Sequence, residues 1–140
     1  MRKYLLLISL FCATIFAHAQ VHFPQAEGER ARYTASIEMQ KAHISGICIM
    51  AYQEGQINGS LFNEFGISAM DFSYIPEKDK VKLHHVISML NKWYIKMTLK
   101  KDLKRLIHTL QDGKNEYVNE KRHIKYIFTP LIASEDGIAE

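Results

Sequence analysis

Cysteine is scarce in this chain, with 2 among 140 residues. Cys12 lies inside an apolar run at the N-terminus, and Cys48 lies in an apolar stretch typical of a strand. We expect Cys12 to be removed with a signal peptide, which leaves one thiol and excludes an internal disulfide. The hydrophobic core must therefore stabilise the fold without a disulfide. The apolar surroundings of Cys48 favour a small buried side chain over a catalytic nucleophile.

The chain also lacks a strong excess of either charge. Its formal net charge is +3, and Arg2 and Lys3 lie in the segment that we expect to be removed. This balance argues against general nucleic-acid binding. Basic residues do cluster on one helical segment, which could rest on an anionic membrane or an acidic partner. We favour the simpler interpretation, the solvated face of a helix packed on a sheet, for Lys92, Lys96, Lys100, Lys101, Lys104 and Arg105.

Sequence motifs of catalysis are missing as well. The chain has no glycine-rich phosphate loop and no G-x-S-x-G nucleophile elbow. His84 and His85 are adjacent, so in a strand they would point to opposite faces and could not bind one metal together. Asp71 and Glu38 are carboxylates without an evident partner. We therefore expect a protein that is not an enzyme and that holds neither a metal nor a cofactor.

The longest apolar run stands at the start of the chain and is shorter than the ~20 residues that span a bilayer. It follows "MRK" and precedes "AHA", which is the order of basic, apolar and small residues in a secretory signal peptide. We expect residues 1–19 to be cleaved and the protein to be exported. Phe11 precedes Cys12, where a lipoprotein signal needs a small residue, so we expect no lipid anchor.

The rest of the chain divides into a polar leader (20–31), a single domain (32–131) and a flexible tail (132–140). Strand patterns fill the first half of the domain, separated by short turns that are typical of an antiparallel meander. Gly55 predicts a hairpin turn at 53–56, because glycine adopts positive φ readily. The strand segments are "YTASIEM", "HISGICIMAY", "INGSLFN", "ISAMDFSYI" and "KVKLHHVI".

After these strands the spacing of the apolar residues changes from the two-residue period of a strand to that of a helix. A helical stripe of Leu99, Leu103, Leu106, Ile107 and Leu110 leads to Gly113, which predicts the helix end. A second stripe, formed by Leu90, Trp93 and Met97, is out of phase with the first. It predicts two helices or a kinked one, with a strand over 88–99 as the alternative. "YVNE" and "HIKYIFTPL" predict a final strand pair. The order of elements indicates an α+β fold, a curved antiparallel sheet with two helices on one face.

The stretch from about Arg32 to Leu110 resembles the lipoprotein-carrier and outer-membrane lipoprotein-receptor superfamily of Gram-negative bacteria. The segment "ISGICIMAYQEGQINGSLFNEFGISAMDFSYIPEKDKVKL" is similar to that family's glycine-containing strand, short turn, strand with a corner and further apolar strand. "HHVISMLNKWYIKMTLKKDLKRLI" resembles the helical region that follows. Glu64 departs from the family, which commonly has proline before the corner. The resemblance implies a strongly curved, incomplete half-barrel with helices on its concave side and an interior that accommodates acyl chains.

The facing of the predicted strands supplies candidate ligand-binding residues for such a pocket. Trp93 should lie beneath a helical lid and Phe65 should be exposed at the corner, while the remaining candidates should line the pocket: Ile47, Ile49, Leu61, Met70, Phe72 and Tyr74. The resemblance implies a soluble periplasmic carrier whose partners are an acylated lipoprotein or another lipid, and the envelope membrane surface or transport machinery. The alternative is a non-enzymatic interaction or assembly module of the cell envelope, which buries the same strands against protein.

Overall fold

The computed structural model describes residues 22–131, which form one antiparallel sheet of seven strands and one α-helix. The predictions for residues 1–19 and 132–140 lie outside the described residues. The strands are β1 (Arg30–Glu38), β2 (His43–Gln53), β3 (Gln56–Asn63), β4 (Ser68–Ile75), β5 (Lys80–Val86), β6 (Glu116–Asn119) and β7 (Ile124–Pro130). The α-helix, α1, spans Trp93–Gln111, and a single 3-10 turn spans Ser88–Leu90.

The sheet curls into a half-barrel with the strand order β5-β4-β3-β2-β1-β7-β6. Strands β1 to β5 form the predicted meander, in which each strand pairs with the next one along the chain. Strand β7 then returns to the free side of β1, where Phe128 lies opposite Ala35. Strands β5 and β6 are consequently the two edges of the sheet.

The β2–β3 hairpin turns at the position that the sequence predicts. Gln53 pairs with Gln56, and the two residues between them have positive φ, 54° at Glu54 and 76° at Gly55. Two consecutive positive φ angles are the geometry of a type I′ turn, whose twist matches that of the flanking strands.

The structure has one α-helix in residues 22–131, so the prediction of two helices is wrong. Residues 88–90 complete only one 3-10 turn before α1 begins at Trp93. Ile87 N–H donates to the Ala69 carbonyl over 3.0 Å, and Leu90 is buried, so this connection is fixed to the sheet. Trp93 and Met97 instead lie exposed on the first turns of α1. The second apolar stripe is therefore not a helix face: Leu90 anchors the connection to the core, whereas Trp93 and Met97 are exposed at the start of α1.

Helix α1 lies across the opening of the half-barrel, where it contacts both edge strands, β5 and β6. Its buried apolar stripe faces the sheet and consists of Leu99, Leu103, Leu106, Ile107 and Leu110. The helix ends as predicted at Gly113, with φ 83°. Gly113 N–H donates to the Leu110 carbonyl and Lys114 N–H to the Thr109 carbonyl, the paired bonds of a Schellman motif.

The sheet has an inner face covered by α1 and an outer face on the other side. Side chains of β1 alternate strictly between the two, because successive residues of a strand point in opposite directions. The inner face carries the largest buried side chains of the strands, including Tyr33, Ile37, Met50, Tyr126 and Phe128. No helix within residues 22–131 combines the length and the apolarity needed to cross a bilayer.

Part of the polar leader belongs to the folded domain. Phe23 is buried, and Gly28 and Tyr52 are joined by a backbone hydrogen bond of 2.9 Å that continues the β1–β2 ladder. Strand β1 begins at Arg30. The folded region therefore starts before residue 32, where the sequence pattern places its beginning.

Candidate functional site

The inner face of the half-barrel contains four of the residues predicted to line a pocket: Leu61, Met70, Phe72 and Tyr74. Each is at most 3% exposed, beneath α1. Leu61 lies directly opposite Met70, and Phe72 lies opposite Gly59, where the absence of a side chain leaves room for its ring. These residues form a continuous apolar surface that is packed closely in the closed structure.

Ile47 and Ile49 lie on the outer face. They share strand β2 with the inward-facing Cys48 and are only half-buried. Ile47 lies opposite Phe62 on β3, a second half-buried apolar residue of the outer face. These isoleucines cannot line the same pocket as Leu61, which corrects the predicted grouping. The sequence misled because β2 is apolar on both faces, and periodicity alone does not say which face turns inward.

Trp93 and Phe65 lie at one end of the molecule. Trp93 is 72% exposed at the start of α1, which corrects its predicted place beneath a lid, and Phe65 is 79% exposed in the β3–β4 turn. Both lie at this end because Val86, the last residue of β5 before α1, pairs with Met70, near the start of β4 after the β3–β4 turn. We call the exposed residues here the apolar end: Phe65, Ile67, Met89, Trp93, Tyr94 and Met97.

The apolar end coincides with the weakly held terminus of α1. Its N-cap residue, Lys92, makes no side-chain capping bond, and the first turn contains no acidic residue. Both features leave the free N–H groups and the positive end of the helix dipole uncompensated. The helix can therefore fray from this end more readily than from Gly113.

The other half of α1 is tied to the β4–β5 turn through Asp79. His108 Nε2 lies 2.6 Å and Lys104 Nζ 3.4 Å from the Asp79 carboxylate, and the Tyr74 hydroxyl donates to it over 2.7 Å. The hydrogen bonds from Tyr74 and His108 lower the pKa of Asp79 to about 2. Burial, followed by the bond to Asp79, raises the pKa of Tyr74 to about 12. This group joins helix to sheet, and Tyr74 stays protonated at neutral pH.

A second polar contact fixes the middle of α1 to β6 and β7. Asp102 is 2% exposed, and its carboxylate accepts bonds from Asn119 Nδ2 at 2.9 and 3.1 Å and from the Tyr126 hydroxyl at 2.6 Å. Burial, together with the bond to Asp102, raises the pKa of Tyr126 well above its usual range. The hydroxyl therefore remains a donor, as a buried carboxylate requires.

Ser73 and His84 form one of the two serine–histidine hydrogen bonds among the described residues, on the outer face; the other joins Ser36 and His43 over 3.0 Å. His84 Nε2 lies 2.7 Å from Ser73 Oγ, and the Ser73 hydroxyl donates to Asn58 Oδ1 over 2.8 Å. Because the hydroxyl proton points at Asn58, His84 acts as the donor in this pair. That direction is the reverse of what a general base needs to activate a serine.

The two adjacent histidines were expected on opposite faces, and the structure corrects this. The β4–β5 register shifts between Asp71 and Phe72, which makes His84 the extra residue of a β-bulge. His85 lies opposite Asp71 on the outer face, and His84 reaches Ser73 on the same face. A bulge of this kind breaks the alternation that the sequence argument assumed.

Cys48 is fully buried on the inner face, and burial raises the pKa of its thiol well above its usual range. It therefore stays a thiol rather than the reactive thiolate. Within residues 22–131, no three histidine, cysteine or carboxylate side chains converge to hold a metal ion.

Comparison with protein-family models, curated proteins and solved structures found no match for this chain. The residues of the chain combine three features that bear on function: a closed apolar interior, a helix anchored at one end, and exposed apolar side chains at the other end.

Proposed function

We propose that this protein is a non-enzymatic, periplasmic binding protein that takes up the acyl chain of a lipoprotein or another lipid between the half-barrel and α1. The observation that carries the proposal is the apolar inner face of an incomplete barrel whose opening is covered by a single helix. Each buried methylene contributes ~0.8 kcal/mol, so an acyl chain binds such a surface without any catalytic group.

The interior is filled in the closed structure, so uptake requires that α1 move. Asp102, in the middle of α1, is bound by Tyr126 of β7. Asp79, in the β4–β5 turn, binds His108 in the C-terminal half of α1. The first turns have no comparable side-chain anchor to the sheet among the described residues. We therefore place the entrance at the apolar end, where Trp93 and Met97 would contact an entering chain.

Trp93 makes the proposal directly measurable, because it is the one tryptophan of the chain. Titration of the protein with a synthetic diacylated lipopeptide should shift the Trp93 emission to the blue as the ring leaves water. Native mass spectrometry of the same mixture should show one lipopeptide per chain. Organic extraction of protein purified gently from the periplasm should release an acylated molecule.

Met97→Glu places a charge at the proposed entrance without entering the core, since Met97 is 50% exposed. We expect it to weaken lipopeptide binding about tenfold, from the cost of placing a charge beside an acyl chain. Leu131→Glu is the matched control, because Leu131 is 38% exposed at the opposite end of the sheet. A wild-type protein that shows neither an emission shift nor a lipopeptide complex contradicts the proposal.

A protein-interaction or assembly module is the second candidate, and the apolar end favours it specifically. Six large apolar side chains are exposed at this one end of the folded domain. Exposed apolar patches commonly mark contacts with other proteins. For this candidate we expect the sedimentation coefficient to depend on protein concentration, Met97→Glu to abolish that dependence, and lipopeptide to have no effect.

A further inference from the structure

A basic cavity lies between α1 and strand β6, away from the inner face. Its volume is about 340 Å³, within the range of small-molecule sites. We call it the basic cavity, and its lining consists of Thr98, Lys101, Asp102, Arg105, Tyr117, Asn119, Lys121 and Arg122. Four of these eight side chains are cationic, which is a composition suited to an anion.

Two elements bring the cations together. Lys101 and Arg105 are four residues apart on α1, so they project from the same helix face. Lys121 and Arg122 come from the β6–β7 turn, where Asn119 Oδ1 accepts the Arg122 N–H over 3.1 Å and fixes the turn. Asn119 also donates to Asp102 on the helix. The Asn119 side chain therefore fixes the β6–β7 turn relative to α1.

Against these four cations the cavity lining holds a single carboxylate, Asp102, so a positive excess remains. The Asp102 oxygens accept bonds from Asn119 and Tyr126, and the residue is 2% exposed. Within residues 22–131, none of the four cations forms an ion pair. Neighbouring basic residues differ in this respect, because Lys104 pairs with Asp79 and Lys125 with Glu116.

The unpaired cations of the basic cavity repel one another. Like charges four residues apart on a helix, such as Lys101 and Arg105, destabilise it. A bound anion removes this repulsion. Arginine is the residue best suited to the task, because its planar guanidinium donates two parallel bonds to a phosphate.

We propose that the basic cavity binds the phosphate group of a phosphate ester, either the phosphodiester of an anionic lipid headgroup or a soluble phosphomonoester. This site is independent of the proposed acyl-chain function. The cavity exists with α1 in its closed position, whereas acyl uptake requires α1 to move.

The test uses Arg105→Gln and Lys121→Gln, one from each element of the cavity, with Lys100→Gln as the matched control. Lys100 is exposed on the same helix and does not line the cavity. Calorimetric titration with glycerol 3-phosphate measures the soluble ester. Co-sedimentation with phosphatidylglycerol vesicles, against phosphatidylcholine vesicles, measures the lipid headgroup. Lys121 lies in an exposed turn, so its variant keeps the test valid if Arg105→Gln fails to fold.

We expect the wild-type protein to bind at least one probe and each cavity variant to weaken that binding about tenfold, the effect of one charge-assisted hydrogen bond. Binding of glycerol 3-phosphate identifies a soluble ester as the ligand source. Binding of phosphatidylglycerol vesicles alone identifies the lipid headgroup. Failure to bind either probe, or an equal loss in Lys100→Gln, overturns the proposal.

Discussion

At the scale of single residues, two glycines show how closely the backbone and core approach each other. A Cβ built on Gly46 would lie 1.7 Å from the Phe62 carbonyl oxygen, and one built on Gly59 would lie 2.3 Å from Phe72 Cζ. Both distances are far below van der Waals contact. These positions need glycine for space, and Gly59 sets the depth at which Phe72 packs.

Gly59→Ala should lower the free energy of unfolding by about 1–3 kcal/mol, because an added methyl in a packed core forces its neighbours off their preferred rotamers. Urea denaturation followed by circular dichroism measures this loss. Ser60→Ala is the control, since Ser60 is the next residue of β3 and points to the outer face. Equal stability of Gly59→Ala and Ser60→Ala would show that Phe72 yields without strain.

At the scale of elements, α1 is held unequally at its two ends. Asp79 and the Schellman motif at Gly113 secure one end. The other end begins at Lys92 without a capping bond and exposes Trp93. This asymmetry allows the helix to release one end while the rest stays attached to the sheet.

Lys92→Asp should stabilise the free end of α1 by about 1 kcal/mol, because an aspartate N-cap accepts a bond from the first free backbone N–H groups. Slower hydrogen exchange of the amides of residues 93–96 measures the effect. If acyl uptake needs this end to open, the same change should weaken lipopeptide binding about fivefold. Lys100→Asp, in the interior of the helix, should produce no such protection.

The Asp79 cluster gives the link between α1 and the β4–β5 turn a defined pH dependence. The pKa of Asp79 falls from its ordinary value of 3.8 to about 2 in the folded protein. A lowered folded pKa means that the carboxylate stabilises the fold above about pH 4, and that this contribution is lost as the pH falls towards 2. At neutral pH the Asp79 carboxylate is therefore ionised, as its contacts to the helix require.

Asp79→Asn removes the charge and keeps a residue that tolerates the positive φ of 49° at this position. The variant should be less stable than the wild-type protein at pH 5, and the difference should shrink as the pH falls from 4 to 2. Urea midpoints across this range measure it. A stability difference between Asp79→Asn and the wild-type protein that stays constant from pH 5 to pH 2 would contradict the assignment.

At the scale of the whole molecule, strand β7 completes the half-barrel. It pairs with β1 on one side and β6 on the other, and it places Tyr126 and Phe128 in the core. The contacts of β7 with β1 join residues more than 85 positions apart in the chain, such as Ile37 and Tyr126. The C-terminal strands are thus part of the core rather than an addition to it.

A chain of residues 20–113 should therefore fail to unfold cooperatively, because it leaves β1 as an open edge and removes the aromatic side chains of β7. A chain of residues 20–131 is the control and should retain a cooperative urea transition. Circular dichroism of both chains measures the difference. A sharp transition in the shorter chain would show that β1 to β5 and α1 fold without the closing strands.

Local pattern in the sequence predicted most of the elements. The alternation of β1, the turn at Gly55 and the end of α1 at Gly113 are all confirmed. Each depends on a few neighbouring residues, whose side-chain period or backbone freedom is intrinsic to them. The number of helices was wrong because Leu90 and Trp93 suggest one stripe although they belong to differently packed segments.

The candidate sites were less predictable. Leu61, Phe72 and Ile49 were predicted to line one pocket; Leu61 and Phe72 lie together on the inner face, whereas Ile49 lies on the other side of the same sheet. The sequence showed only half of the basic cavity: Lys101 and Arg105 belong to the basic helical segment, but Arg122 comes from a different element and meets them only in the folded protein.

The sequence by itself thus determined the segments, since strand and helix periods are local properties of the chain. Only the tertiary structure decided which face of β2 turned inward, where β7 inserted and which charges met around Asp102. Those outcomes depend on contacts between residues far apart in sequence. Such contacts stabilise the protein only after the long loops between the residues have closed, so local sequence patterns do not reveal them.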